Sequence, residues 1–281
     1  MKEPSTLADI TDPRQRAKAA HTLIDDYQTA IGELSRLRRE AIEEILANGD
    51  TQTQVAELLK VTRGRVSQLL SAGVRPERAF LGTSASAITI ALGGKHEAGK
   101  DKPGAVVSAE AMAAYERLAD LARNLGLKAD YEVVPPPGFV KLNRPNLIVA
   151  CGPRLSPLVQ QLLESDNNIE FAKDEHGWHL VEQQTKTVHR SPHDEGRNAD
   201  IAYIGRLPRP DGKGMFLYMA GIHAMGTAGA AHFIENNLAD LHKETKGRRF
   251  SVIVRCEFDP ETRQVTASER LSPIYRQDGA A

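Results

Sequence analysis

The first part of the chain has the hydrophobic spacing of helices. Between Leu23 and Leu46 apolar side chains recur at steps of three and four, and charged side chains fill the other faces. The apolar positions are Leu23, Ile24, Tyr27, Ile31, Leu34, Leu37, Ala41, Ile42, Ile45 and Leu46. Gly49 follows, and glycine readily adopts the left-handed conformation that ends a helix. The pattern predicts one long helix, a second helix starting near Thr51 and a third starting near Thr62.

From Phe80 onward short β-rich runs alternate with helical stretches, which is typical of an α/β domain with a mostly parallel sheet. The predicted strands are Ala87–Leu92, Tyr131–Val134, Asn146–Ala150, Ile169–Phe171, Trp178–Val181, Ile201–Ile204, Met215–Ala220 and Phe250–Cys256. The predicted helices are Ser108–Leu125, Leu155–Leu163 and Thr227–Leu241. The sequence predicts a loop from His189 to Asn198. We therefore expect a helical domain over residues 1–79, an α/β domain over residues 80–276 and a tail over residues 277–281.

Composition and charge are those of an ordinary globular protein. Of the 281 residues, 41% are hydrophobic and 26% are charged, and 36 Lys+Arg against 37 Asp+Glu give a formal net charge of -1. These values exclude collagen-like and wholly disordered chains and a uniformly basic nucleic-acid coat, but they allow a small DNA-reading module with local charge. The start of the chain has no apolar signal core, and no apolar run approaches the roughly 18–20 residues of a membrane span. We expect a cytoplasmic protein without membrane contact.

The sequence predicts neither a disulfide framework nor a metal site. Cys151 and Cys256 are the two cysteines, and both lie in apolar runs. His176 and His179 flank Trp178 on a predicted hairpin, where alternation places the two histidines on opposite faces. No glycine-rich loop matches a dinucleotide fingerprint or the phosphate loop of an NTPase. We therefore expect no metal and no resident cofactor, and we assign no catalytic residue.

Residues 51–72 carry the clearest motif, a helix-turn-helix. Ala56 is the small residue needed where the two helices cross, Lys60-Val61 forms the turn, and Thr62 can cap the next helix. The apolar residues expected on the facing sides are Val55, Leu59, Val61, Val66 and Leu69. Lys60 stands where the turn more often has glycine, and a left-handed lysine costs about 1 kcal/mol. The segment resembles the bacterial helix-turn-helix superfamily, in particular region-four-like modules of sigma factors and repressors.

That resemblance implies double-stranded DNA as a partner, with the second helix of the motif in the major groove. The residues that would face base edges or phosphate are Thr62, Arg63, Gly64, Arg65, Ser67 and Gln68. Arginine can pair with guanine and glutamine with adenine. Five basic residues between Lys60 and Arg78 stand against Glu77 alone, a local excess that fits phosphate contact. The alternative is a helical hairpin that only packs on a partner.

The long helix before the motif carries an apolar stripe wider than a single short bundle needs. Pairing with a second copy would bury the stripe and would space two reading heads along DNA. We therefore expect a homodimer. The alternative is a stripe that packs only within its own chain.

Three glycine-containing loops follow predicted strands, and in an open parallel sheet ligands bind at the carboxyl ends of the strands. The free N–H groups of helix N-termini suit phosphate or carboxylate there, and the loops add further donors. The candidate ligand-binding residues are Gly93, Gly94, Lys95, Gly152, Pro153, Arg154, Ser156, Gly221, His223, Gly226 and Thr227. The pattern predicts one crevice for a small anionic or nucleotide-like ligand. The alternative is a set of tight strand-to-helix turns that bind nothing.

The second domain resembles Rossmann-like domains that follow helix-turn-helix segments in uncharacterised actinobacterial regulators. The resemblance rests on the arrangement and on the stretches Cys151–Arg154 and Ala220–His223, and it implies no catalytic residues. It favours a DNA-binding transcriptional regulator whose α/β domain senses the ligand. The linker near Gly73–Gly82 would transmit binding to the reading heads.

Two other functions remain open. One is a nucleotide- or nucleoside-processing hydrolase or transferase that carries a helix-turn-helix, and the other is a domain that only binds a partner. The available carboxylates are Glu110, Asp194, Glu195 and Asp200, none of them in a recognisable motif. An exposed carboxylate in the pocket beside Gly152 and Gly221 would favour the enzyme. A pocket with only Arg, His and backbone donors would favour the sensor.

Overall fold

A computed structural model describes residues 7, 9–71, 77–82, 87–99, 101 and 104–277. The chain divides into two compact units, Met1–Arg75 and Pro76–Ala281. The first unit is helical, and the second is a mixed α/β unit, which confirms the change of structure expected near Phe80. The division lies a few residues before the expected boundary, because the short helix α4 (Arg78–Leu81) belongs to the second unit.

The first unit contains α1 (Pro13–Ala47), α2 (Gln52–Leu59) and α3 (Arg63–Ser71). Asp12 caps α1, since its carboxylate accepts a hydrogen bond from the Arg14 amide at 3.0 Å. Gly49, with φ at +104°, follows the end of α1, as the sequence predicts. Three helices therefore begin and end near the positions that local signals indicate.

The turn between α2 and α3 has the expected geometry. Thr51 and Gln54 form a capping box at the start of α2, and Lys60 is left-handed with φ 53° and ψ 44°. The core that joins the helices consists of Ile42, Val55, Ala56, Val66 and Leu69, with Val61 packed at its edge. Leu59 departs from the prediction: it is exposed, because it ends α2 just before the chain reverses at Lys60.

The second unit alternates strands and helices, as its sequence pattern predicts. Its strands are β1 (Ala87–Gly93), β2 (Lys95–His96), β3 (Ala105–Val106), β4 (Lys128–Val134), β5 (Leu147–Ala150), β6 (Ile169–Asp174), β7 (Gly177–Glu182), β8 (Thr187–Arg190), β9 (Ala199–Pro208), β10 (Met215–Gly221), β11 (Arg249–Phe258), β12 (Val265–Arg270) and β13 (Tyr275–Gln277). Its other helices are α5 (Ala109–Asn124), α6 (Pro157–Leu163) and α7 (Ala224–Thr245).

The main sheet has eight strands in the order β12-β11-β9-β10-β5-β1-β4, and β13 also pairs with β11. Strands β4, β1, β5 and β10 are parallel neighbours, whereas β9, β11, β12 and β13 add antiparallel pairs. The expectation of a mostly parallel sheet therefore holds for only one half of it. The physical reason is the short turn over residues 209–214, which makes β9 and β10 a hairpin and reverses the direction of β9.

Both faces of the main sheet are covered, which explains the nearly continuous apolar runs of its central strands. Ile148 and Ala150 of β5 belong to the core beneath α5 and α7, whereas Leu147 and Val149 belong to the core on the opposite face. The second core also includes Val159 of α6 and residues of the three-stranded sheet β6-β7-β8. The carboxyl ends of β1, β5 and β10 consequently meet at one edge of the unit.

Two smaller expectations need correction. The predicted loop from His189 to Asn198 instead contains the end of β8 and a 3-10 turn at Pro192–Glu195, which the buried Ser191 caps by accepting the His193 amide. The predicted tail begins one residue too early, since Gln277 still belongs to β13, and residues 278–281 lie outside the described residues.

Candidate functional site

The first candidate site is the exposed face of α3. Val66 and Leu69 are buried in the helical core, so the residues between and before them point away from it. The exposed residues are Thr62, Arg63, Gly64, Arg65, Ser67 and Gln68. These are the six positions that the sequence predicts for DNA contact. Thr62 also caps the helix, because its hydroxyl oxygen accepts the Arg65 amide at 3.1 Å.

Side-chain contacts orient part of this face. Arg65 Nη1 donates to Gln68 Oε1 at 3.0 Å, and Ser67 Oγ donates to Gln52 Oε1 at 3.4 Å. Within the described part of the chain, no carboxylate forms an ion pair with Arg63. Residues 60–71 contain three basic side chains and no acidic one. The face is therefore a small basic surface with two hydrogen-bonding side chains held next to each other.

Gly64 lies in the first turn of α3 with nothing packed over it. A Cβ built there would meet only Thr62 Oγ1, at 4.0 Å. Glycine is destabilising within a helix by roughly 0.5–1 kcal/mol relative to alanine. Among the described residues, no contact explains why this helix carries a glycine at that position.

The second candidate site is a crevice at the carboxyl ends of β1, β5 and β10. It has a volume of about 40 Å³. Its lining residues are Gly93, Lys95, Ser108, Ala111, Ala150, Cys151, Gly152, Leu155, Gly221, His223, Ala224 and Thr227. The structure thus brings together residues from all three loops that the sequence singled out. The three strands are parallel neighbours, and this is why the loops that follow them converge.

The N-terminus of α7 lies at this crevice, but a carboxylate of the same unit occupies it. Asp200 is fully buried on β9, and its Oδ2 accepts the amides of His223 at 3.1 Å and Gly226 at 2.6 Å. Its Oδ1 accepts from Ser191 Oγ at 2.6 Å and from the Ile201 amide at 2.8 Å. The expectation that these α7 amides are free for a ligand is therefore wrong.

Burial is the largest influence on the pKa of the Asp200 carboxyl group. Burial raises the pKa of Asp200, while the hydrogen bonds from Ser191 and from the amides of Ile201 and Gly226 oppose that rise. Four donors converge on one side chain, an arrangement that ties β9 to the start of α7. Asp200 consequently holds the crevice in shape rather than lining it.

Two glycines allow this close packing. A Cβ at Gly226 would lie 2.6 Å from the Ile201 carbonyl oxygen and 2.8 Å from Asp200 Oδ2. A Cβ at Gly221 would lie 2.5 Å from the Thr227 amide nitrogen. Thr227 Oγ1 in turn accepts the Gly221 amide at 3.0 Å, so its hydroxyl oxygen closes the loop. Gly226 and Thr227 therefore build the loop as well as bordering the crevice.

A histidine-carboxylate pair stands at the mouth of the crevice. His223 Nε2 lies 2.7 Å from Asp194 Oδ1, and both side chains are partly exposed. The ring of His193 packs edge-on against that of His223, with 5.4 Å between centroids. Lys95 is also exposed at the rim, and among the described residues no carboxylate pairs with it. The mouth therefore combines a cationic side chain with an imidazole that a carboxylate orients.

Three of the remaining predicted residues lie away from the opening. Ser156 is fully buried, and its hydroxyl donates to the Gly138 carbonyl at 2.7 Å. Gly94 is buried against β4, where its amide donates to the Val134 carbonyl at 2.9 Å. Pro153 is buried in a 3-10 turn, Pro153–Leu155. The side chain of Arg154 lies outside the described part of the chain.

The start of α6 does not line the crevice, contrary to expectation, because that 3-10 turn separates it from β5. The start of α5 takes its place. Ser108 caps α5 by accepting the Ala111 amide at 3.2 Å, and both residues line the crevice. The sequence predicts that a helix starts at Ser108. Because β2 and β3 lie between β1 and α5 in the chain, it does not predict that this helix start lies at the rim of the crevice. The sequence contains four candidate carboxylates without a motif, and no local signal distinguishes Asp200 from the other three.

Within the described residues, no group of three or more His, Cys, Asp or Glu side chains is placed to hold a metal ion. No described helix combines the length and apolar character needed to cross a membrane. Comparisons with protein-family models, with curated proteins and with solved structures find no match to this chain.

Proposed function

We propose that this chain is a regulator that binds double-stranded DNA through α3 and senses a small anionic ligand in the crevice of its second unit. The observation that carries the DNA assignment is the exposure of Thr62, Arg63, Gly64, Arg65, Ser67 and Gln68 on one capped helix. Three basic side chains over residues 60–71 supply attraction to phosphate. The resemblance to bacterial helix-turn-helix modules supports the same assignment.

Gly64 adds an independent argument for a close partner. A helix surface without Cβ lets another backbone or a sugar-phosphate approach more closely than any other residue allows. The space over Gly64 is open and would allow such an approach. Arg63 and Gln68 would then reach base edges, where arginine pairs with guanine and glutamine with adenine.

The ligand assignment rests on the composition of the crevice. No carboxylate is among its described lining residues, whereas Lys95 offers a cationic side chain and His223 an imidazole. At about 40 Å³ the crevice admits the anionic group of a ligand and leaves the remainder outside. We therefore favour a phosphorylated, nucleotide-like compound bound by its phosphate. The resemblance to Rossmann-like domains agrees with ligand binding at the ends of parallel strands.

Helix α7 offers a route from the crevice to the linker. Its first turn borders the crevice, and the helix also packs against α4, the first helix of the second unit. Arg206 holds α4 to the sheet, since Nη2 donates to the Phe80 carbonyl at 2.6 Å. A shift of α7 on ligand binding would move α4. Residues 73–76 of the expected linker lie outside the described residues.

The DNA proposal is tested by fluorescence anisotropy against a site selected from random duplexes. Arg63→Ala and Gln68→Ala should each weaken specific binding by about 1–3 kcal/mol. Arg14→Ala, an exposed arginine near the start of α1, is the matched control and should bind as wild type does. Unchanged affinity in both α3 variants would refute groove reading by this helix.

The ligand proposal is tested by a thermal-shift screen of nucleotides and phosphorylated metabolites, because binding stabilises the folded unit. Lys95→Ala should lose most of any stabilisation, and Arg154→Ala is predicted to do the same. Lys186→Ala, an exposed lysine on the distant β7–β8 turn, is the control. A ligand that stabilises all variants equally would place its site elsewhere.

The pair His223 and Asp194 favours a second candidate, a nucleotide- or nucleoside-processing hydrolase or transferase. A carboxylate that orients an imidazole is a common arrangement for general-base catalysis. Incubation of the stabilising ligand with wild type and with His223→Asn distinguishes the two functions. Turnover by wild type and its loss in the variant would indicate the enzyme, whereas binding without turnover would indicate the sensor.

A further inference from the structure

The middle of α1 exposes a set of large apolar side chains. Ile24, Ile31, Leu34 and Leu37 are each at least 48% exposed, whereas Ile42 further along the helix is buried in the helical core. Single exposed apolar residues are normal, but a contiguous apolar stripe on a monomer marks an interaction surface. Tyr27, between Ile24 and Ile31, is half-buried. We call Ile24, Tyr27, Ile31 and Leu34 the α1 seam.

The seam has the spacing of a coiled coil. Ile24 and Ile31 are seven residues apart, and Tyr27 and Leu34 each follow by three, so the four residues occupy alternating a and d positions of a heptad. Continuing the heptad places Ala20 before the seam and Arg38 after it. A seven-residue period buries a narrow stripe against one other helix with the same period. A second copy of this chain carries an identical helix with the same period.

We propose that α1 pairs with α1 of a second copy in an antiparallel orientation. A parallel pair in register would place each a residue against its own equivalent, so the Arg38 guanidinium groups of both copies would meet. Antiparallel pairing avoids this repulsion. It sets Ile24 against Leu34 of the other copy and Tyr27 against Ile31 of the other copy, and it sets Arg38 against the small Ala20.

This register places the twofold axis at residue 29, midway between Ile24 and Leu34. Ile42, which packs against α3 through the helical core, lies thirteen residues from the axis. At 1.5 Å per residue this is about 20 Å, so the two Ile42 residues are about 40 Å apart along the paired helices. The dimer proposal does not rest on the proposed function.

The first test is the oligomeric state of the full chain in the absence of DNA. Sedimentation at micromolar concentration should give twice the 30.7 kDa mass of one chain. Leu34→Glu should give a monomer with unchanged helix content by circular dichroism. Leu58→Glu is the matched control, because Leu58 and Leu34 are both 65% exposed on a helix, and it should remain a dimer. A monomeric wild type, or a dimer that survives Leu34→Glu, would overturn the proposal.

The second test fixes the orientation by cysteine crosslinking under mild oxidation. Antiparallel pairing predicts a disulfide between chains when Ile24→Cys and Leu34→Cys proteins are mixed, and none in either protein alone, because equivalent residues are far apart. Crosslinking of Ile24→Cys alone would overturn the orientation, and no crosslink in the mixture would overturn the register. Wild type is the control for Cys151 and Cys256, which are both buried. Neither test uses DNA, so a failed dimer is distinguishable from a failed DNA site.

Discussion

Replacing Asp200 should disturb the second unit more than any other change at the crevice. This buried carboxylate accepts hydrogen bonds from Ser191, Ile201, His223 and Gly226. Asp200→Ala removes the acceptor and leaves the donors in place. The expected result is a large loss of stability without any loss of apolar packing.

The magnitude follows from which donors can find another partner. The Ser191 hydroxyl can rotate, and His223 is half-buried, so we assign the full penalty to neither donor. Ile201 and Gly226 are buried, and an unsatisfied buried amide costs about 1–3 kcal/mol. The desolvation of the carboxylate, which raises the pKa of Asp200, offsets part of this sum. We expect a loss of about 2–4 kcal/mol for Asp200→Ala.

Asp200→Asn separates the charge from the hydrogen bonds. The amide has the shape of the carboxylate, but its nitrogen cannot accept the donors on one side. We expect this variant to lose about half as much stability as Asp200→Ala. Ser191→Ala removes one donor to Asp200 and also the acceptor of the His193 amide, so about 2 kcal/mol should be lost.

Urea unfolding followed by tryptophan fluorescence is the appropriate assay. The chain has one tryptophan, Trp178 on β7, so the signal reports the second unit alone. Circular dichroism of the whole chain reports both units together, since α5 and α7 of the second unit are also helical. A free energy of unfolding for Asp200→Ala within about 0.5 kcal/mol of wild type, the range of ordinary surface substitutions, would refute the hydrogen-bond network.

Two further predictions concern the helical unit and the β6–β8 sheet. Gly64→Ala should stabilise the helical unit by roughly 0.5 kcal/mol in thermal unfolding, because the Cβ enters open space, yet weaken DNA binding in anisotropy. Stronger DNA binding would contradict the close approach. The hydrogen bond from Arg190 lowers the pKa of Asp174 from 3.8 to about 2, so its stabilising contribution is present above 3.8 and is lost as the pH falls toward 2. Trp178 fluorescence should show this loss in wild type and not in Asp174→Asn, and equal pH profiles would exclude the ion pair.

The sequence alone determined most of the local structure, because local structure depends on short-range chemistry. The three-and-four spacing of α1, the glycine after it and the Thr62 cap are each contained within a few residues. The exposed face of α3 follows from the buried positions of Val66 and Leu69 in the same helix. Convergence of the glycine loops was also predictable, since parallel strands end at a common edge.

Only the tertiary structure decided which groups occupy that edge. Asp200 reaches the start of α7 from β9, 26 residues earlier in the chain, and no periodicity encodes a contact at that separation. The 3-10 turn after β5 moves Ser156 away from the crevice, and α5 brings Ser108 to it across an intervening hairpin. The pattern of apolar residues shows which strands are buried, but a strand has the same pattern whichever way it runs. The sequence therefore does not predict the antiparallel half of the sheet. Strand direction and long-range polar contacts depend on how the elements pack in space.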